Sequence, residues 1–128
     1  MILGLGCDIV QVSRFSKNEA FLLRFIKKYF TFGEIAELEV RTTGQDLSRL
    51  VFAAKKAVSK ALGSGFREGI TLKDVEIVHD SLGCPKVNLY GKALTRAYFI
   101  SKNQNFNMHL TLSNEREYVS AVAVMESL

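Results

Sequence analysis

The hydrophobic positions at the start of the chain predict a strand followed by a helix. Residues 2–12 form a short apolar run typical of a strand, in which Gly4 and Gly6 would let another backbone approach closely. Residues 18–30 repeat apolar side chains at helical spacing, and Asn18 is a suitable N-cap. The pattern changes from strand to helix within the first thirty residues.

Two further helices follow. Thr31 with Glu34 has the form of a capping box that begins a short helix, and residues 42–45 then break the pattern. Asp46 is the expected N-cap of a central helix, which Gly63 would end. One stripe of this central helix is apolar and predicts its buried face: Leu47, Leu50, Val51, Ala54, Val58, Ala61 and Leu62.

The second half of the chain predicts strands around one helix. Two antiparallel pairs are expected, residues 75–79 with 86–89 across a turn, and residues 107–113 with 118–125. Residues 91–100 predict a helix that turns Leu94, Ala97 and Tyr98 inward. Helices in the first half packed on an antiparallel sheet from the second predict an α+β fold.

Composition narrows the class of protein. A chain of 128 residues, 48% hydrophobic with one proline, predicts a single folded domain spanning residues 1–128. No apolar run is long enough to span a bilayer, and the first ten residues lack the basic segment of a signal peptide, so we expect a cytoplasmic protein without membrane contact. Cys7 and Cys84 share no metal-ligand spacing and are expected to be reduced packing residues, with a disulfide as the less favoured alternative.

The net charge of +4 is concentrated near the amino terminus. Arg14, Arg24, Lys27 and Lys28 would suit an acidic partner, although a solvated helix face is an equally open interpretation. Nucleic acid is disfavoured, because we expect these basic residues to be interleaved neither with exposed aromatic residues nor with a known reading motif.

The end of the central helix is rich in lysine. Lys55, Lys56 and Lys60 lie within six residues without an intervening carboxylate, and Lys56 and Lys60, one turn apart, would project away from the apolar stripe with Arg49. The turn Gly63-Ser64-Gly65 follows at once and could bring backbone N–H groups close to an anion. A phosphate is the favoured ligand; a solvated helix end with an ordinary terminating turn is the alternative.

Three further side chains are candidates for chemistry. Asp8 is a carboxylate in an apolar strand and needs a partner, which could be Mg²⁺, a lysine or a backbone amide. His79 and His109 lie on different predicted strands and have no partner in sequence that would identify a triad or a metal site. A structural role is the favoured interpretation for both histidines.

Taken together, these segments resemble the small holo-acyl-carrier-protein synthases, which are phosphopantetheinyl transferases. The similarity runs nearly end to end. The matching segments are Gly4-Leu-Gly-Cys-Asp-Ile-Val10 with Arg14, Phe52-Ala-Ala-Lys55, Ser59-Lys-Ala-Leu-Gly-Ser-Gly65, Gly83-Cys-Pro85, and His109-Leu-Thr-Leu-Ser113 followed by residues 118–124.

The resemblance implies the 4′-phosphopantetheinyl transferase fold and transfer of phosphopantetheine from coenzyme A to a serine of apo acyl carrier protein, in fatty acid biosynthesis. It also implies Mg²⁺ and a homotrimer with sites between subunits. Asp8 would hold the metal and Lys60 would neutralise phosphate oxygens. The implied coenzyme A contacts are Asp8, Lys55, Lys60, Gly63, Ser64, Gly65 and Pro85; carrier-protein docking would use Arg14, Arg24, Lys27 and Lys28.

Two positions depart from the family pattern in ways that affect the mechanism. Lys56 stands where the family has a glutamate that is the second metal ligand, and a protonated lysine offers no lone pair to a metal. Asn114 stands where a histidine is usual, and an amide cannot act as a base. In one interpretation the enzyme is active, with Lys56 pairing with Asp8 or the pyrophosphate and Glu115 or a metal-bound water accepting the proton. In the other, the chain binds coenzyme A or carrier protein but is weakened or inactive.

Two smaller departures concern the nucleotide. Cys84 replaces the lysine of a Gly-Lys-Pro turn, and Val51 replaces an arginine that usually precedes Phe52. If the family's contacts apply, each change weakens cationic contact with the nucleotide of coenzyme A.

Overall fold

The computed structural model describes residues 1–14, 19–40 and 44–128. The main elements in chain order are β1 (Ile2–Gln11), α1 (Glu19–Tyr29), α2 (Phe32–Val40), α3 (Gly44–Ala61), β2 (Val75–His79), β3 (Pro85–Leu89), α4 (Gly91–Ile100), β4 (Phe106–Asn114) and β5 (Tyr118–Ser127). Short 3₁₀ turns at Val12–Arg14 and Leu72–Asp74 follow β1 and precede β2. The α+β class and the order of the elements are as predicted.

Two antiparallel sheets are arranged around the central helix. β5 lies between β1 and β4 in one sheet, and β2 with β3 forms a separate hairpin. α3 packs across β1 and β5, and its buried side chains form the middle of the hydrophobic core. The first strand of the chain thus pairs with its last, and both lie directly on α3.

The contact between β1 and α3 depends on two glycines. A Cβ atom at Gly4 would lie 1.9 Å from the Ala61 carbonyl oxygen, and one at Gly6 would lie 1.9 Å from the Ala57 carbonyl oxygen. Only glycine permits this approach, because the obstacle is backbone and cannot move aside as a side chain could. The predicted close approach is confirmed, and it places the next residue on the same face, Asp8, against the same helix.

Helix boundaries largely follow the predicted signals. The Thr31 amide donates to Glu34 Oε1 at 2.8 Å and the Glu34 amide donates to Thr31 Oγ1 at 3.2 Å, which confirms the capping box. Gly63 adopts φ +76 two residues after α3 ends at Ala61 and confirms the predicted stop. α3 begins at Gly44, earlier than predicted, whereas the Asn18 and Asp46 caps and the break at Thr42 and Thr43 lie outside the described residues and side chains.

Three burial predictions were wrong. Tyr98 is 43% exposed, and Ala93 takes its place on the buried face of α4 beside Ala97. Arg49 is buried instead of projecting into solvent. Cys7 and Cys84 are free thiols but exposed, so neither is a packing residue. In the described ranges, no helix is both long and apolar enough to cross a bilayer.

Candidate active site

Asp8 lies between two lysines of α3. Its side chain, 7% exposed, points from the inner face of β1, and Oδ1 is 3.2 Å from Lys60 Nζ and 3.8 Å from Lys56 Nζ. Lys60 Nζ also donates to the Cys7 carbonyl oxygen at 2.9 Å. The structure therefore brings together the predicted carboxylate and two of the three predicted cations.

The two lysines are held in different ways. Lys60 makes two hydrogen bonds to β1, while Lys56 Nζ lies 5.5 Å from the centre of the Phe52 ring, in range of a cation–π interaction, as well as near Asp8. Their side chains are 52% and 40% exposed, so both ammonium groups remain accessible to a ligand. Asp8 between them relieves the repulsion expected of like charges one helical turn apart.

The other carboxylate oxygen of Asp8 is unsatisfied. Oδ2 is buried and has no hydrogen-bond partner among the described residues. A buried acceptor without a partner is costly, so a hydrogen-bond donor from outside the chain would complete the site. Two ammonium groups and one carboxylate leave this site with a positive charge, which favours an anionic ligand such as a phosphate.

Lys55 does not line this site. Its side chain is fully buried, and Nζ lies 2.8 Å from Glu34 Oε1 and donates to the carbonyl oxygens of Leu72 at 2.7 Å and Val75 at 2.8 Å. Burial lowers the pKa of Lys55 and raises the pKa of Glu34, while their ion pair acts in the opposite direction on both. The expected contact of Lys55 with coenzyme A is corrected, because within the chain its ammonium group binds Glu34 and two backbone carbonyl oxygens in the interior.

The turn after α3 uses its backbone donors internally. The Gly63 amide donates to the Lys60 carbonyl oxygen at 2.9 Å, and the Gly65 amide donates to the Ser59 carbonyl oxygen at 3.0 Å. The Ser64 hydroxyl donates to the Gly65 carbonyl oxygen. The idea that glycine N–H groups bind the anion is therefore wrong for Gly63 and Gly65, and what this turn offers a ligand is a shaped wall beside Lys60.

Asn114, Glu115 and Pro85 lie apart from Asp8. Asn114 ends β4, two strands away from β1 and thus about 10 Å across the sheet. Glu115 begins the tight turn to β5, where its amide donates to the Tyr118 carbonyl oxygen. Pro85 faces His79 in the other hairpin. Among the described contacts, none joins these residues to Asp8 within one chain.

The basic residues near the amino terminus lie on an exposed surface. Arg24, Lys27 and Lys28 are exposed on α1, and Arg14 is exposed at the end of the 3₁₀ turn after β1. The exposed apolar side chains of Phe21 and Leu23 lie on the same helix. We call these six residues the α1 surface.

The α1 helix is fixed to the helix that bears the site. The Phe25 ring packs edge-on against Phe52 of α3 at a centroid distance of 5.2 Å. Phe52 is also the ring that Lys56 contacts. The aromatic contact, the hydrogen bond from Lys55 to the Tyr29 carbonyl oxygen and the burial of Leu22 together set the position of the α1 surface relative to the Asp8 site.

Both histidines have carboxylate partners that the sequence did not show. His79 Nδ1 is 2.9 Å from Glu37 Oε1, and His109 Nε2 is 2.7 Å from Glu126 Oε1. The His79 pair links β2 to α2, and the His109 pair lies across β4 and β5. These contacts support the structural interpretation, and spacing along the chain could not have revealed them.

The chain is similar to proteins of one known family. A family model described as the 4′-phosphopantetheinyl transferase superfamily matches residues 4–123, a range that includes Asp8, Lys60 and the turn after α3. The chain belongs to this superfamily. The family resemblance predicted from the sequence is confirmed, and the chain has the fold of that family.

Individual relatives agree with that placement. The chain is 41% identical to a holo-[acyl-carrier-protein] synthase of Clostridium beijerinckii over 128 residues, which is all of both proteins. It superposes on the crystal structure of the holo-[acyl-carrier-protein] synthase from Neisseria meningitidis with a TM-score of 0.84 and 32% identity, covering 99% of this chain and 100% of that one. A Bacillus anthracis holo-(acyl-carrier-protein) synthase solved in complex with CoA (3′,5′-ADP) gives a TM-score of 0.78 at 27% identity, covering 100% and 99%.

Proposed function

We propose that this chain transfers the 4′-phosphopantetheine group of coenzyme A to a serine hydroxyl of apo acyl carrier protein, as one domain spanning residues 1–128. The observation that supports this most directly is the pair of exposed ammonium groups beside Asp8, within a chain that aligns end to end with holo-[acyl-carrier-protein] synthases. Full-length identity of about two residues in five favours an active transferase over a chain that only binds coenzyme A or carrier protein.

The chemistry requires stabilisation of negative charge. The serine oxygen forms a bond to the β-phosphorus of coenzyme A while the bond to the bridging oxygen breaks, releasing 3′,5′-ADP. Lys60 and Lys56 would neutralise the oxygens that gain charge, because preorganised cations in a partly dry site stabilise such a transition state. Lys60 is oriented for this by its hydrogen bonds to β1.

Acceptance of the serine proton is assigned to Glu115. The Asn114 amide has no basic site, whereas the neighbouring carboxylate is exposed at the β4–β5 turn. Both residues are separated from Asp8 within the chain, so in this proposal they act at the Asp8 site of another copy. Pro85 and the wall formed by Gly63, Ser64 and Gly65 would then contact the coenzyme from opposite sides.

The residues present do not fit a magnesium ion held by this chain. Asp8 Oδ2 is a free oxygen ligand, but two ammonium groups lie within 4 Å of the other oxygen of the same carboxylate. Mg²⁺ prefers one or two carboxylates with water and phosphate, and Lys56 adds positive charge where a second carboxylate would be needed. No cluster of three potential metal-binding side chains occurs in the described part of the chain. Magnesium therefore remains a prediction of the family resemblance.

A homotrimer is supported by an uncovered sheet face. Leu5, Ile9 and Val122 are 67%, 66% and 43% exposed on the side of β1 and β5 that faces away from α3. A contiguous apolar face of this kind is typical of a protein–protein contact. Covering it with other copies of the chain would also supply the separated Glu115 and Pro85. A cytoplasmic location stays a prediction from the sequence.

The acyl carrier protein would dock on the α1 surface. Exposed Phe21 and Leu23 share α1 with Arg24, Lys27 and Lys28, a combination that suits a partner with an acidic surface and an apolar contact. The aromatic contact to α3 would then hold the bound carrier at a fixed position relative to Asp8 and Lys60.

One assay tests the function. Purified protein is incubated with coenzyme A, Mg²⁺ and apo carrier protein, and the carrier is weighed by mass spectrometry, with a carrier lacking the acceptor serine as the blank. We expect the mass increase of one phosphopantetheine group, a much slower reaction for Lys60→Ala, and an unchanged rate for Lys92→Ala, an exposed lysine on α4. Absence of modification at stoichiometric enzyme would leave only the binding interpretation.

A further inference from the structure

We infer that Lys56 is an internal cation that takes the place of a bound metal, so that the diphosphate of coenzyme A binds at Asp8, Lys56 and Lys60 without a divalent ion held by the protein. The inference rests on the proposed function for the identity of the ligand. Independently of the ligand's identity, the Asp8 site of this chain has little affinity for Mg²⁺ or Mn²⁺.

The position of Lys56 is the first argument. Its ammonium group lies 3.8 Å from Asp8 Oδ1, while Lys60 Nζ lies 3.2 Å from the same oxygen. A positive charge at this distance from the Asp8 carboxylate acts on any ion that binds there. It attracts phosphate oxygens and repels a divalent cation.

The restraint of Lys56 is the second argument. An exposed lysine would ordinarily sample many rotamers, but this one is held by Asp8 on one side and by the Phe52 ring at 5.5 Å on the other. Both anchors come from elements fixed in the core, β1 through its glycines and Phe52 through Phe25. The positive charge is therefore preorganised before any ligand arrives, as a bound metal would be.

The donor set is the third argument. A protonated lysine has no lone pair, so Lys56 cannot coordinate a metal, and among the described residues of this chain Asp8 Oδ2 is the carboxylate oxygen left without a partner at the site. One carboxylate beside two ammonium groups has the charge of an anion site, whereas magnesium sites usually combine carboxylates with substrate phosphates. The same residues that fit a magnesium ion poorly thus fit a diphosphate well.

The test measures binding of coenzyme A by isothermal titration calorimetry, once with EDTA and once with excess Mg²⁺. The wild type, Lys56→Glu and Lys56→Gln are compared, and Lys92→Glu is the matched charge reversal on exposed helix α4. Circular dichroism confirms that each variant is folded. Mn²⁺ binding to each protein without coenzyme is measured in parallel by electron paramagnetic resonance.

We expect the wild-type dissociation constant for coenzyme A to change less than threefold between EDTA and Mg²⁺. We expect the wild type to have no stoichiometric Mn²⁺ site. Lys56→Glu should bind coenzyme A at least tenfold more weakly in EDTA, regain that affinity with Mg²⁺ and acquire a Mn²⁺ site. Lys56→Gln should bind coenzyme A more weakly in both buffers. Lys92→Glu should bind coenzyme A as the wild type does. A stronger Mg²⁺ dependence in the wild type, or a stoichiometric Mn²⁺ site, would overturn the inference. If neither the wild type nor any variant binds coenzyme A in either buffer, the proposed function fails. The Mn²⁺ titrations still decide whether the Asp8 site binds a divalent ion.

Discussion

Lys55 Nζ lies 2.8 Å from Glu34 Oε1, and both side chains are completely buried. This ion pair joins α3 to α2, and each partner also binds the backbone around β2. Glu34 Oε2 accepts from the Ile77 amide at 2.7 Å, and Lys55 donates to Leu72 and Val75 carbonyl oxygens. One pair of charges thus fixes the hairpin that bears Pro85 onto the helix that bears Lys60.

Removal of one partner of this pair should be strongly destabilising. We expect Glu34→Gln or Lys55→Met alone to lower the free energy of unfolding by about 3–5 kcal/mol, because the remaining buried group loses its countercharge. The double variant should lose less unfolding free energy than the sum of the losses of the two single variants. Urea denaturation followed by circular dichroism measures this coupling, and Glu39→Gln on the exposed side of α2 is the control. Additive losses would contradict an energetic link between the two charges.

The glycine contact of β1 gives a second prediction. Gly6→Ala places a methyl group 1.9 Å from a helix carbonyl oxygen, so β1 must move away from α3. We expect a loss of about 1–3 kcal/mol in unfolding free energy. Weaker coenzyme A binding should follow, since Asp8 moves with the strand. Gly65→Ala meets open space and is strained only by its φ of +58, so it should lower the melting temperature less than Gly6→Ala does. A larger loss for Gly65→Ala would show that the close approach at Gly6 is not the dominant cause.

The α1 surface should control the affinity for carrier protein and leave the coenzyme site unchanged. Arg24→Glu with Lys28→Glu is expected to raise the KM for apo carrier protein at least tenfold without changing coenzyme A affinity, because charge reversal repels an acidic partner. Added salt should raise the wild-type KM in the same direction. Steady-state kinetics with varied carrier test this, and Lys92→Glu on α4 is the matched control. An unchanged KM would place the docking surface elsewhere.

The exposed sheet face should determine the oligomeric state. Ile9→Lys inserts a charge into the apolar face of β1 and is expected to convert a trimer into monomers and to abolish transfer, since Glu115 and Pro85 are separated from Asp8 within one chain. Light scattering coupled to size exclusion reports the mass. Ser81→Lys in the exposed β2–β3 turn should change neither property. A wild type that is monomeric and active would refute the shared site.

Glu76 should contribute to acid stability. Its carboxylate is partly desolvated, but hydrogen bonds from Thr31, Asn88 and Tyr90 outweigh that effect and lower its pKa below the usual 4.5. A carboxyl group whose pKa is lowered by folding stabilises the protein above its unfolded pKa, and this contribution is lost as the pH falls through the folded value. Wild-type melting temperatures should therefore fall as the pH drops below 4.5, and Glu76→Gln should be less stable at neutral pH with a shallower acid decline. Identical pH profiles for the two proteins would exclude this role.

Local sequence signals predicted most of the fold. The capping box at Thr31 and Glu34, the stop at Gly63 and the two glycines of β1 each act within a few residues or require a property that only one residue type has. Such signals are readable from the chain because the physical cause is local. The errors occurred where burial is decided by distant elements, as for Arg49, Tyr98 and the two cysteines.

The candidate site was predicted in part. Asp8 was named from the sequence as a charged residue in an apolar strand, and Lys60 as one of a cluster of cations on a helix; that the two lie 3.2 Å apart is seen only in the structure. The sequence projected Lys56 and Lys60 away from the apolar stripe but did not show that Lys55 is buried, because the hairpin that encloses Lys55 is formed by residues far along the chain. The histidine–glutamate pairs were missed for the same reason.

The sequence by itself determined the superfamily, the order of helices and strands and the presence of a cationic helix end, since these depend on residue identity and short-range periodicity. The tertiary structure decided which of the lysines faces a ligand. Packing of β1 against α3 through Gly4 and Gly6 brings Asp8 to Lys56 and Lys60, while α2 and β2 enclose Lys55 with Glu34. The physical reason is that a charge near a helix acquires its role from the countercharge that folding places beside it, and that countercharge is distant in sequence.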